Sequence, residues 1–485
     1  MKKILGNKVI GFVATRYFSY VLQFLNSLVV AWSLGPFYLG VWGFISMIMQ
    51  YMAFGNLGVD ISLNVNLSTG DFQDINRQKK LVANALLVTL FTSLFYLVIS
   101  ATVIMSGVQF FEKYLFTRYL LALVLISCMN YFNVLFLNIF RAHSLFRPIS
   151  VFQTLVQLVQ LPLFLFFKDT DLINAILLAQ LLAHIISFAL FYINMPFPIQ
   201  FKAEWMVVKE LFSRGISLLV YNITFYLIML SSRSLVSYFY PVETMGLFTF
   251  AANIASALIV GLSSLDFVLF PKMLNRLGKE ELDDHTKQSF NELRYLYTAL
   301  AFLVIIAGLL CYPILLLFFK DYQSTMVVFT LLAMSQLVIS SGFGYATMII
   351  SRGREFFLVK HGIIAVMINC IGGSVLVYFF HIQFEFLAFV LVLSFVYYDI
   401  QVVRLGRNLL GLASDFSSVI REMFPISTFV PLMIMLIGLF FGNQLLFNLI
   451  ALVIFIVLNR KGYQLFRKYL DILFNRPSAV NISGD

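Results

Sequence analysis

Apolar runs of about twenty residues, repeated from one end of the chain to the other, limit most strongly what it can fold into. A bilayer core takes about 20 mostly apolar residues per helix. Runs of that size fall at 9–32, 38–59, 81–105, 117–140, 149–167, 172–194 and 215–239. They continue at 246–270, 295–318, 325–350, 362–380, 384–403, 425–441 and 444–459. The expected fold is therefore an all-α polytopic membrane protein of about 14 transmembrane helices, of which the short last pair is the least defined. Composition agrees: 61% of residues are hydrophobic and 12% charged, against roughly 45–50% and about 25% in soluble domains. A soluble multidomain enzyme, a disordered tail and a DNA-binding module are excluded. The three cysteines, Cys128, Cys311 and Cys370, all sit in apolar runs, so neither a disulfide framework nor a metal site is indicated.

The formal charge of +10 is a question of placement, because cytoplasmic loops of membrane proteins concentrate Lys and Arg. With the N-terminus inside, 27 of the 33 basic residues fall on the inner side. Lys113, Arg118, Lys168 and Lys320 fall outside, and Arg16 and Arg233 lie within spans. Acids divide as 15 inside, six outside and two within spans, which gives 27 − 15 = +12 inside and 4 − 6 = −2 outside. Both termini are thus expected in the cytoplasm, and the charge marks orientation rather than affinity for nucleic acid. The outer turns are too short for an extracytoplasmic domain. Inside, 195–214 reads as an amphipathic interfacial segment carrying Trp205, Val208, Leu211 and Phe212. No phosphate-binding P-loop accompanies it, so direct nucleotide drive is not expected.

The chain also resembles itself at an offset of about 206–211. Leu34-Gly-Pro-Phe-Tyr-Leu-Gly-Val-Trp-Gly-Phe44 joins the first two spans, and Tyr240-Pro-Val-Glu-Thr-Met-Gly-Leu-Phe-Thr-Phe250 joins the seventh and eighth. Gly40 aligns with Gly246, and Pro36 with Pro241 after one insertion. Six spans per unit restore the starting orientation, which implies a parallel repeat with a site between the halves. The alternative is that Gly and Pro are common in any turn between membrane helices. The expected organisation is an N-terminal lobe at 1–194, a linker at 195–214, a second lobe at 215–405 and a linker at 406–424. A helix pair at 425–460 and a tail at 461–485 complete it.

Charged side chains cost about 2.5–3.5 kcal/mol at the bilayer centre on insertion scales, so intramembrane ones need a reason. Arg16 heads a stripe with Tyr20, Gln23 and Ser27 on one helical face. The alignment of four residues favours a cavity-facing role, with snorkelling of Arg16 to the inner headgroups as the alternative. Gln153, Gln157 and Gln160, followed by Pro162, form a second stripe. Their amides suit sugar hydroxyls and suit helix-to-helix hydrogen bonding equally. Asn222, Tyr226 and Arg233 share a face of the seventh span, where Arg233 either contacts substrate or snorkels outward. Arg141 and Arg147 close the fourth span at the inner rim. Asp266 is open to a coupling role, although an ion pair with a cytoplasmic base fits it better, and Asp399 reads as interfacial. The five histidines do not cluster as metal ligands, and no nucleophile, base and orienter come together. No cofactor and no catalysis are indicated.

These residues resemble the polysaccharide-transport branch of the MOP exporter superfamily, the Wzx-type flippases. The resemblance rests on an ordered set of short motifs. They are the basic start with Arg16, Leu34-Gly35-Pro36 with Gly40, Phe54-Gly-Asn-Leu-Gly58, Ser232-Arg233, Met245-Gly-Leu-Phe248, Leu269-Phe-Pro-Lys272 and Ser351-Arg-Gly-Arg354. One departure is that Ser232 stands where the family often has an acid. The resemblance implies two six-helix lobes in a V with alternating access, a flanking C-terminal helix pair, and residence in a bacterial inner membrane. It also implies an undecaprenyl-pyrophosphate-linked oligosaccharide as substrate for surface polysaccharide (O-antigen) synthesis. Membrane lipid, a polysaccharide polymerase and assembly proteins would be partners. Arg16, with Arg141 and Arg147, would then meet the pyrophosphate, since guanidinium suits phosphate. A lipid II flippase and a multidrug exporter of the same superfamily are the near alternatives; a membrane glycan polymerase is a more distant one.

Overall fold

The computed structural model describes residues 2–69, 74–143, 145–199, 202–277, 284–460 and 462–467, with the side chains of 2–14, 68, 69, 214, 217, 218, 261, 263–277, 285 and 440 left undescribed. Inside a bilayer every backbone polar group must be bonded within the protein, which leaves helices as the form for long single spans. The described residues are accordingly helical, with no strand among them. In chain order the helices are α1 (Lys2–Met52), α2 (Val59–Thr69), α3 (Ile75–Met105), α4 (Phe116–Ala142), α5 (Phe146–Leu158), α6 (Asp169–Ile193), α7 (Trp205–Phe239) and α8 (Val242–Leu277). They continue as α9 (Asp284–Phe318), α10 (Met326–Ser341), α11 (Tyr345–Ser351), α12 (Glu355–Phe380), α13 (Glu385–Leu409), α14 (Phe416–Met423), α15 (Ile426–Phe441) and α16 (Gln444–Leu458). Among the described residues 11 helices are long and apolar enough to cross a membrane, or 12 if the bent pair α14–α15 is one span.

The difference from fourteen lies in identifiable places. The first two apolar runs share α1, whose helix is broken at Gly35 (φ 62, ψ 177) immediately before Pro36. Only glycine reaches this conformation without strain, and proline can follow because its missing N–H is not required at a helix start. The last two runs form helices of 16 and 15 residues. A β-carbon on Gly35 would meet nothing within 4 Å, so Gly35→Ala tests backbone strain alone. It should lower stability by about 1–3 kcal/mol, seen as a modest fall in the thermal midpoint of the detergent-solubilised protein. An unchanged midpoint would refute the positive-φ break at Gly35.

Two of the longer expected connections are taken up in part by the neighbouring long helices. The 205–214 stretch is not a separate interfacial helix but the first turns of α7, with Leu211 fully buried and Trp205 exposed. The 195–204 connection is held by Asn84, whose side chain accepts from the Glu204 N–H (2.8 Å) and donates to Lys202 O (3.2 Å). Lys80–Glu204 (3.1 Å) and Arg77–Glu210 (3.3 Å) ion pairs brace it. Likewise α8 and α9 extend well into the expected 272–294 loop.

The chain divides into two compact units, Met1–Tyr226 with Ser237–Phe250, and Leu227–Val236 with Ala251–Asp485. In the first, α4 packs on α1, α2, α3, α5 and α6, with Phe136, Phe140 and Phe191 in its core. Asn133 of α4 donates to His184 O of α6 (2.9 Å), and Asn138 to Asp60 O of α2 (3.0 Å). Such amide bonds supply association that hydrophobicity cannot supply between helices in lipid. The start of α8 also belongs to this unit and meets the second half of α1. There a β-carbon on Gly40 would clash with Val242 O, one on Gly246 with Pro36 O, and one on Gly43 with the Thr249 side chain. Val242, Gly246 and Thr249 each lie 206 positions after Pro36, Gly40 and Gly43. The contact is therefore reciprocal, as a local two-fold requires, and it aligns Pro36 with Val242 rather than with Pro241.

In the second unit α13 packs on α10, α11, α12 and α14, while α16 packs on α9 and α15. Phe302 stacks on Phe455 (4.5 Å) and Asn448 donates to Leu309 O (3.4 Å), fixing α16 against α9. Asp399, expected at the membrane interface, is buried against protein at 4% exposure on α13, where the missing side chain of Gly342 at the α10–α11 break leaves room for its carboxyl.

Candidate functional site

Four helices of the first unit, α1, α4, α5 and α6, line an open cavity of about 370 Å³. Its size is at the lower end of the roughly 300–1,000 Å³ of ligand pockets. The two stripes read from the sequence meet here: Tyr20 and Gln23 enter from α1, and Gln153 and Gln157 from α5. Helical periodicity placed each pair on one face, and the packing of α5 on α1 turns those faces toward the same space. From α4 come Ser127 and Asn130, and from α6 Gln180 and His184. No acidic side chain lines the cavity among the described residues.

Arg16 lies one turn before Tyr20 and donates from Nε to the Tyr20 hydroxyl at 2.6 Å, with its guanidinium 5.5 Å from the ring centroid. A cation is thus tethered to a cavity-lining ring, where attraction to the ring face adds to the hydrogen bond. The glutamines divide their roles. Gln157 bonds to α1, since Asn26 donates to its backbone carbonyl (2.7 Å) and to its Oε1 (3.2 Å). Gln153 Oε1 is buried without a hydrogen-bond partner among the described residues. A buried acceptor left open costs about 1–3 kcal/mol, which a donor from a bound molecule would offset. Gln160 turns away from this space: it is buried and donates to Val156 O (2.9 Å). The reason is the end of α5 at Leu158 and the 3₁₀ turn over Leu161–Leu165, started by Pro162, which rotates Gln160 off the stripe.

The other expected positions are dispersed. Ser27 donates to Phe24 O (2.7 Å). Arg141, in the last turn of α4, donates to Asn64 Oδ1 on α2, and Arg147 is exposed in the first turn of α5. Next to Arg141, burial pushes the His143 imidazole below the ordinary histidine value. Asn222 is half-buried and Tyr226 exposed, its ring 5.7 Å from Phe54. Arg233 belongs to the second unit, where its Nη2 donates to Asn253 Oδ1 (3.3 Å). Ser231 and Ser232 beside it accept from Asn369 at 2.7 Å each. The side chain of Asp266 lies outside the described residues.

Sequence reasoning missed Ser19, Asn130, Gln180 and His184. Ser19 bonds Thr154 at 2.9 Å and, with Asn26 seven residues on, forms a second polar line on α1 that periodicity could have disclosed. Asn130, Gln180 and His184 are isolated polar residues in apolar runs, and only the packing of α4 and α6 joins them.

No family model and no curated protein matches the chain. Solved structures do. A lipid II flippase, MurJ, in an inward closed conformation superposes with a TM-score of 0.69 at 14% identity, over 95% of this chain and 99% of that one. An inward-facing multidrug resistance MATE family transporter of the MOP superfamily gives 0.63 at 14% identity, over 84% and 98%. The MATE multidrug transporter DinF-BH in complex with R6G gives 0.61 at 17% identity, over 85% and 97%. The chain shares the fold of these MurJ and MATE structures. At these identities the likeness concerns the fold, and the multi-pass helical architecture follows from it and from the apolar helices together.

Proposed function

We propose that this MOP-fold protein is a flippase that carries an undecaprenyl-pyrophosphate-linked oligosaccharide from the cytoplasmic to the outer leaflet by alternating access. It would reside in a bacterial inner membrane with both termini cytoplasmic, and serve surface polysaccharide synthesis beside a polymerase and assembly proteins. The observation that carries the reading is the convergence of Tyr20, Gln23, Gln153 and Gln157 on one cavity, with Arg16 bonded to Tyr20 at its edge. Amides and hydroxyls without carboxylates match the hydroxyls of a sugar, and a neighbouring guanidinium matches a phosphate. Organic cations would call for acidic walls, which favours a glycolipid over a drug. The MurJ likeness supports a lipid-linked cargo, with lipid II as the nearest variant. Asp266 remains the proposed position for ion coupling.

The test is reconstitution in sealed vesicles with a labelled lipid-linked oligosaccharide, read by its accessibility to a membrane-impermeant reagent. Arg16→Ala should slow flipping about tenfold or more, since hydrogen bonds to charged groups are worth about 1.5–3 kcal/mol. Gln153→Leu should slow it less. Normal expression with wild-type flipping by Arg16→Ala would overturn the site, and no flipping above protein-free vesicles would overturn the function.

A further inference from the structure

The second unit contains a larger cavity, about 740 Å³, bounded by α9, α13, α14, the start of α15 and Asn459 at the end of α16. Charge asymmetry in the sequence places this end of the helices on the inner side. Its wall holds three arginines, Arg294, Arg407 and Arg421, against Glu292 and Glu422. Arg294 is spent on structure: it donates to Phe343 O (3.1 Å), Ser341 O (3.0 Å), the Tyr345 hydroxyl (3.1 Å) and Glu422 Oε1. Arg407 donates from Nε to Ala413 O (2.6 Å) and from Nη1 pairs with Glu422 Oε2. Its Nη2, and the whole guanidinium of the exposed Arg421, make no hydrogen bond or ion pair among the described residues. Deeper in, Asn459 is 7% exposed and accepts from the Tyr295 hydroxyl at 2.6 Å, which leaves its NH2 group to donate. Ser427 adds a hydroxyl, whereas the Thr428 hydroxyl already donates to Pro425 O (3.0 Å). The cavity thus joins spare guanidinium donors to neutral donors and carries a net positive charge, the recognition chemistry of a phosphate group.

The source of the phosphate is indicated by α14. Asp415 caps this short helix, and the Ser417 hydroxyl with the Ser418 N–H hold its carboxyl well below the usual carboxylate range. Val419 and Met423 bury one face, while Phe416 and, past the break, Ile426 are 69% and 74% exposed. The axis turns by 74° between α14 and the apolar α15. With α15 across the bilayer, α14 would run along its surface, with Phe416 exposed at its start and Ile426 just past its end, as interfacial helices expose apolar residues. We infer that this cavity binds the phosphate headgroup of an anionic phospholipid of the inner leaflet, with Arg407 and Arg421 on the phosphate and the acyl chains passing Phe416 and Ile426. The site is built from the second unit alone and does not rest on the flippase reading.

The test uses the full-length chain in detergent, titrated with phosphatidylglycerol, phosphatidylcholine or inorganic phosphate, and followed by thermal midpoint and by lipid retained in native mass spectra. Phosphatidylglycerol should raise the midpoint and phosphatidylcholine should not. Arg421→Gln, at an exposed position that should not disturb folding, should weaken the effect about tenfold, the loss expected of one charge-assisted contact. Asn459→Asp should weaken it as well, by placing a carboxylate in the cavity. Equal phosphatidylglycerol binding by wild type and Arg421→Gln would overturn the proposal. An Arg421-dependent response to inorganic phosphate without one to the lipid would overturn the lipid assignment in favour of a soluble phosphate.

Discussion

Gly246→Ala should cost the protein about 3 kcal/mol or more, the upper range for overpacking a tight contact. The added methyl would fall well under 3.0 Å from the carbonyl of Pro36 and against the backbone of Gly40. Neither is a side chain that swings aside, so the second half of α1 and the start of α8 would have to separate. The reciprocal change, Gly40→Ala, meets Val242 O in the same manner and should cost about as much. The double variant should cost much less than the sum, because one separation relieves both clashes. Thermal midpoints and monodispersity in detergent measure this. Wild-type behaviour of Gly246→Ala would show that the two helices do not cross as described. Gly35→Ala, with strain but no clash, is the internal comparison.

The second large effect is expected at Glu422. Its two carboxylate oxygens face Arg294 and Arg407, and the Tyr345 hydroxyl donates to the same oxygen as Arg294. Arg294 is 6% exposed and lies 4.0 Å from the Tyr345 ring centroid. Removing the partner of a buried ion costs about 3–5 kcal/mol, because the remaining charge stays desolvated. Here one substitution strands two arginines. Glu422→Gln keeps the shape and loses only the charge, so it should lower stability by an amount in that range, read as thermal midpoint or protease resistance. A Glu422→Gln protein as stable as wild type would mean that the arginines are neutralised elsewhere. The triad also ties α14 to α9 and α13, and so shapes the cavity assigned to a phospholipid headgroup.

Much of the architecture was legible in the residues because a membrane imposes one-dimensional rules. The length of apolar runs set the helices, and the charge of the connections set an expected orientation. Where the expectation differed, a local cause is visible. The first two runs meet end to end at the positive-φ break of Gly35 and so count as one element, and the expected interfacial stretch at 205–214 runs directly on into α7. The candidate site was legible in part for a similar reason: spacing of three or four residues places Tyr20 with Gln23, and Gln153 with Gln157, on helical faces. It failed at Gln160, where Pro162 ends the periodicity.

By itself, the sequence determined that this chain is a many-helix membrane protein, which side of the bilayer its loops should prefer, and which helical faces are polar. Those properties depend on hydrophobicity, charge and helical period, which act along the chain. Only the tertiary structure decided that the α1 and α5 stripes share one cavity with Asn130, Gln180 and His184. The same holds for the meeting of Gly40 and Gly246, and for the gathering of Arg294 with Arg407 and Glu422, each more than a hundred residues further along the chain. These are contacts between helices, set by side-chain fit and buried hydrogen bonds, and no period within a single helix encodes its neighbour.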